Sequence, residues 1–133
     1  MQVLGVHHVA LQVRALAPML AFYTEVLGLR VLEEHHGSDG QLRSVWLGLP
    51  GAFLALETVA GEVPARGPFR NQAPGLFLLA LRISANERSQ LRAELERARV
   101  TVEHETRWTL YLRDPEGNRV ALSHHPEAAD TAD

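Results

Sequence analysis

Histidine is the residue with which this chain could do chemistry. It has seven: His7, His8, His35, His36, His104, His124 and His125. An imidazole can ligate a metal or pass a proton near neutral pH. Adjacent strand residues point to opposite faces, so neither His35-His36 nor His124-His125 chelates alone. His7 has the parity of a core face or starts a strand, and His104 reads as a strand surface residue. His8 is left as the candidate acid, base or ligand. There is no cysteine, hence no disulfide, thiolate nucleophile or Cys-ligated metal, which fits a reducing cytoplasm. Phosphate-binding glycine loops, nucleophile elbows and Cys-X-X-Cys motifs are also missing from the sequence.

His8 lies in Val6-His7-His8-Val9-Ala10-Leu11-Gln12-Val13. Val9, Leu11 and Val13 alternate with His8, Ala10 and Gln12, which predicts a strand with one apolar face. Leu78-Leu79-Ala80-Leu81-Arg82-Ile83 repeats the alternation 70 positions on, with Leu78 where the first copy has His8. A helical stripe follows the first strand: Leu16, Met19, Leu20, Tyr23 and Leu27 recur at three and four residues. Pro18 suits its first turn and Gly28 its end. Met19, Phe22 and Tyr23 read as core.

Strands are then expected over 29–34, 41–49 and 52–59, with His35-His36-Gly37-Ser38-Asp39-Gly40 as a turn. Residues 60–74 are rich in Gly, Pro and Arg without period, and read as a linker between the halves or a flap over a pocket. The second half repeats the order. A strand is expected over 75–83, and a capping box at Ser84 and Glu87 opens a helix running to about Arg99. Strands follow at 101–105, 109–113 and 119–124, and Asp114-Pro115-Glu116-Gly117-Asn118 turns the last pair. Trp46 to Pro50 matches Tyr111 to Pro115 at a shift of 65, so a strand-helix-three-strand unit is duplicated. The boundaries are 1–59 for the first unit, 75–125 for the second and 126–133 for a tail, all within one domain, 1–133.

The composition, 46% hydrophobic and 22% charged, belongs to a globular chain. A net charge of −3 gives no reason to expect a nucleic-acid partner or an attraction to a membrane surface. The chain has no basic leader followed by an apolar run and no membrane-length apolar run, so the expectation is a cytoplasmic protein.

With this order, the chain resembles the vicinal oxygen chelate superfamily, which includes glyoxalase I, bleomycin-resistance and fosfomycin-resistance proteins and extradiol dioxygenases. Three pieces carry the resemblance: Val6 to Leu11, Phe22-Tyr23-Thr24-Glu25-Val26-Leu27-Gly28-Leu29, and Asp114 to Asn118. It implies an α+β fold of two βαβββ modules whose curved mixed sheets enclose a concave pocket. It also implies a homodimer. Metal-dependent members place one ligand on each of four strands, and the matching positions here are His8, Ala55, Leu78 and Ala121. Only His8 carries a lone pair, and one imidazole does not make a divalent metal site. A displaced site could use His8, Glu57 and His125, since Glu57 and His125 share strand faces with Ala55 and Ala121. A divalent metal therefore stays open as a cofactor, although none is expected.

The expected pocket is lined by His8, Gln12, Phe53, Ala55, Leu78, Tyr111, Arg113 and Ala121, with Trp46 and Trp108 near its rim. Apolar walls with a few convergent polar groups describe a small-molecule site. Three functions fit: a metal-free binder of a small organic molecule, a metal-dependent lyase or dioxygenase of glyoxalase type, and a metal-free enzyme using His8 as acid or base. The first is preferred, because Ala and Leu at the ligand positions suit an apolar space without a cation.

Overall fold

The computed structural model describes residues 1–65, 67 and 74–128. Much of the expected linker (66 and 68–73) and of the expected tail (129–133) lies outside the described residues. The chain divides into two compact units, Met1–Ala65 and Arg66–Asp133.

In the first unit, strand β1 (His8–Val13) leads into helix α1 (Leu16–Ala21), then β2 (Arg30–His36), β3 (Leu42–Leu49) and β4 (Ala52–Thr58). The sheet runs β1-β4-β3-β2; β1 joins β4 in parallel and the other pairs are antiparallel. Alternation decides the layers. Val13, Val45, Leu47, Leu54 and Leu56 are buried, together with Met19, Phe22 and Tyr23 from the helix and the turn after it. Each such apolar side chain removed from water contributes about 1.5–3 kcal/mol. The helix has no side-chain cap at Ala15 and closes through a π-helical turn, Phe22–Val26. There the Thr24 hydroxyl donates to the Leu20 carbonyl at 2.7 Å, and Leu29 N–H to Tyr23 at 2.9 Å. Gly28 takes φ 76°, the left-handed conformation that lets the chain reverse into β2.

The second unit repeats the order: β5 (Leu79–Arg82), α2 (Arg88–Arg97), β6 (His104–Glu105), β7 (Thr109–Arg113) and β8 (Arg119–Ser123). Its sheet runs β5-β8-β7-β6. Leu95, Leu110, Leu112, Val120 and Leu122 form its core. The turn between β7 and β8 is held by buried Asp114, whose carboxylate accepts from Glu116 N–H, Asn118 N–H and Asn118 Nδ2 at 3.0, 2.9 and 2.8 Å.

Three local expectations are corrected. β2 extends to His36, because the tight turn (Gly37 N–H to Gln41 carbonyl, 2.8 Å) starts later and frees both histidines to pair. The capping box does not form: Ser84 makes no side-chain bond, and residues 85–87 make a 3-10 turn. Glu127 Oε2 accepts from Ala85 N–H instead, at 3.4 Å. The outer strands of the second sheet are shorter than their alternation suggests, starting at Leu79 and spanning only His104–Glu105.

Candidate functional site

The register of the first sheet lays out one face. His8 pairs with Phe53, Ala10 with Ala55 and Gln12 with Glu57 across β1 and β4. On the other side of β4, Phe53 pairs with Gly48, Ala55 with Trp46 and Glu57 with Ser44. Paired strand residues share a face, so these side chains form a grid.

Aromatic rings cross that grid from strand to strand. The His8 ring stacks on Phe53 with centroids 4.7 Å apart. Phe53 stacks on Trp46 at 4.4 Å, and Trp46 meets His35 of β2 at 4.8 Å. His35 in turn lies 3.8 Å from the Glu33 carboxylate. Small residues flank the row at Ala10 and Ala55. Gly48 is small for a stated reason: a Cβ there would come within 3.2 Å of Leu32, which lies over it. At the start of the row, Nδ1 of His7 and Nδ1 of His8 are 2.8 Å apart, so one ring donates to the other.

Trp46 stands on β3. β4 and β2 both flank β3, which puts its indole in the interior of the sheet, half-buried. His35 is the member of this row that sequence reading missed. Counting back from the Asp39-Gly40 turn would have placed it opposite Ser44, beside Trp46.

Of the displaced metal set, His8 and Glu57 stand at opposite ends of the face. Their β4 positions, Phe53 and Glu57, are four residues apart, about 13 Å along a strand. His125 is exposed beside Trp108, with ring centroids 5.2 Å apart. Among the described residues, no three His, Asp or Glu side chains are grouped as metal ligands. Ala55, Leu78 and Ala121 offer no donor atom. The residues present do not fit a divalent ion at the positions the resemblance names.

In the second unit, Tyr111, Ala121 and Ala80 align across β7, β8 and β5. The Arg119 guanidinium lies 4.6 Å from the rings of both Tyr111 and Phe77. Arg113 donates to Glu103 at 2.6 Å. Leu78 is half-buried just ahead of β5. Trp108 carries Arg107 over its ring at 4.6 Å.

His124 is structural. It is buried, and Arg88 Nη1 donates to its Nε2 at 3.1 Å, so Nδ1 holds the proton and donates to the Glu127 carbonyl at 2.6 Å. Arg88 also donates to the carbonyls of Arg107 and Thr106 and to Glu105, joining α2 to the segment before β7.

A family model for the Glyoxalase/Bleomycin resistance protein/Dioxygenase superfamily matches residues 5–122. Among solved structures, a glyoxalase/dioxygenase from Nostoc punctiforme aligns with TM-score 0.77 and 20% identity, over 93% of this chain and 92% of its own. The protein SMU.1112c aligns with TM-score 0.75 and 26% identity, over 92% of this chain and 100% of its own. A mutant of the fosfomycin resistance protein FosX from Listeria monocytogenes, complexed with Mn(II) and 1S,2S-dihydroxypropylphosphonic acid, aligns with TM-score 0.73 and 14% identity, over 92% of this chain and 93% of its own. No curated protein matches the sequence. Among the described residues, no helix is long and apolar enough to cross a membrane.

Proposed function

This chain belongs to the Glyoxalase/Bleomycin resistance protein/Dioxygenase superfamily, and we propose that it binds a small organic molecule on the aromatic face of its first sheet without a resident metal ion. One observation carries this reading: the continuous row His8, Phe53, Trp46 and His35. The outward edges of these mutually stacked rings, beside the small residues Ala10 and Ala55, offer an apolar surface against which a planar molecule can stack edge-to-face. Such stacking is worth about 0.5–1.5 kcal/mol per ring pair beyond the area buried. FosX, similar in fold, is complexed with a small phosphonic acid and with Mn(II). The first half of that comparison supports small-molecule binding. The second half does not transfer, since three of the four positions named by the resemblance carry only hydrocarbon.

The test is calorimetric titration with 2-(1-naphthyl)ethanol, a neutral planar probe. We expect saturable binding, weakened about tenfold, or about 1.4 kcal/mol, by Phe53→Leu and by Trp46→Leu. Absence of saturation, or wild-type affinity in both variants, would contradict the reading. We further propose a homodimer, as the family resemblance implies. Light scattering would give twice the mass of the 14.7 kDa chain.

A second reading rests on the His7–His8 contact at 2.8 Å: His8 acts as acid or base on the stacked molecule, with His7 behind it. It requires that His8→Ala abolish turnover while probe affinity changes by less than about threefold.

A further inference from the structure

We propose that this face selects planar aromatic cations, specifically aryl rings carrying an ammonium group about two carbons away. The proposal rests on the reading that the face binds a small molecule, and it adds the ligand's charge and length.

The grid has two unlike ends. Toward His8 it presents rings. One row beyond Trp46 and Ala55 it presents Gln12, Glu57 and Ser44, aligned across β1, β4 and β3. Glu57 is exposed, and none of the ion pairs among the described residues includes it. Ser44 supplies an independent observation. Its hydroxyl oxygen is buried and has no hydrogen-bond partner among the described residues. An unpaired buried hydroxyl costs free energy, so the site is incomplete as it stands. An ammonium in this row would donate to the Glu57 carboxylate, and to the Ser44 oxygen once that hydroxyl rotates out of its buried position.

Charge points the same way. Glu33 faces Trp46 from β2, and Glu57 stands on the other side of Ser44. Two basic residues share this face of β2: His35, opposite Ser44 and 3.8 Å from the Glu33 carboxylate, and Arg30, which pairs with Gly48. Gly48 is four residues from Ser44, about 13 Å along β3. Length follows from strand geometry: successive same-face residues are about 6.5–7 Å apart, so a ring on Trp46 places a two-carbon ammonium at Glu57 and Ser44.

The test compares three probes of one shape by calorimetry: 2-(1-naphthyl)ethylamine, 2-(1-naphthyl)ethanol and 1-naphthylacetate. We expect the amine to bind at least about tenfold more tightly than the alcohol, and the acetate least well. In Glu57→Gln the preference for amine over alcohol falls below about threefold, while Glu96→Gln on α2 keeps it. Ser44→Ala weakens the amine more than the alcohol. Equal binding of amine and alcohol, tightest binding of the acetate, or a preference that survives Glu57→Gln overturns the proposal and leaves small-molecule binding standing. Failure of all three probes to bind overturns both.

Discussion

The imidazole of His8 lies parallel to the ring of Phe53, 4.7 Å away and inclined by 7°. The parallel register of β1 and β4 pairs these two residues directly. One edge strand therefore brings its titratable side chain onto the aromatic row of the sheet interior. Phe53→Leu keeps an apolar side chain of somewhat smaller volume but removes the planar surface between His8 and Trp46. We expect a loss of about 1–2 kcal/mol in stability by urea unfolding. Trp46 fluorescence should shift as well, since its stacking partner at 4.4 Å is gone.

Ser44 gives the opposite sign. Its buried hydroxyl makes no hydrogen bond among the described residues. Ser44→Ala should leave stability unchanged or raise it by up to about 1 kcal/mol, measured by thermal or urea unfolding without ligand. A loss of more than that amount would show that the hydroxyl is satisfied.

Asp114 is a structural carboxylate. It is buried and accepts three hydrogen bonds from its own turn. Asp114→Ala orphans two backbone N–H groups and should cost about 2–4 kcal/mol. Asp114→Asn keeps one acceptor oxygen and should cost roughly half as much. Chemical unfolding of the two variants checks the order.

Arg88 divides its donors among two carbonyls, Glu105 and the imidazole of His124. A lysine has no planar fork to reach them all. We expect Arg88→Ala to destabilise by about 2–3 kcal/mol and Arg88→Lys to recover less than half of that. By contrast, Ser84→Ala should cost well under the ~1 kcal/mol of a true N-cap, because Ser84 makes no capping bond.

Much of this was legible in the residues. The apolar alternation around His8 and Leu78 gave strands β1 and β5, and the helical stripe gave Met19 and Tyr23, both buried. Periodicity is a strong signal wherever burial imposes it. The turn at Asp114 was legible because its residue types leave few other conformations. What escaped were features set by register and by distant partners. His35 has no periodic neighbours, and the register shift between His35 and His36 and the place of the hairpin turn bring it to Trp46. Ser84 and Glu87 have the spacing of a capping box, yet Glu127, 42 residues away, takes the Ala85 N–H. The separation of His8 from Glu57 was hidden for the same reason: it depends on which β4 residue lies opposite each.

Metal-free binding is the central claim, and titration of chelator-stripped protein with 2-(1-naphthyl)ethanol tests it most directly. The dissociation constant should stay within about threefold of that for untreated protein, with or without added Mn(II), Zn(II) or Ni(II). Binding that disappears on stripping and returns with one equivalent of a divalent ion would contradict it.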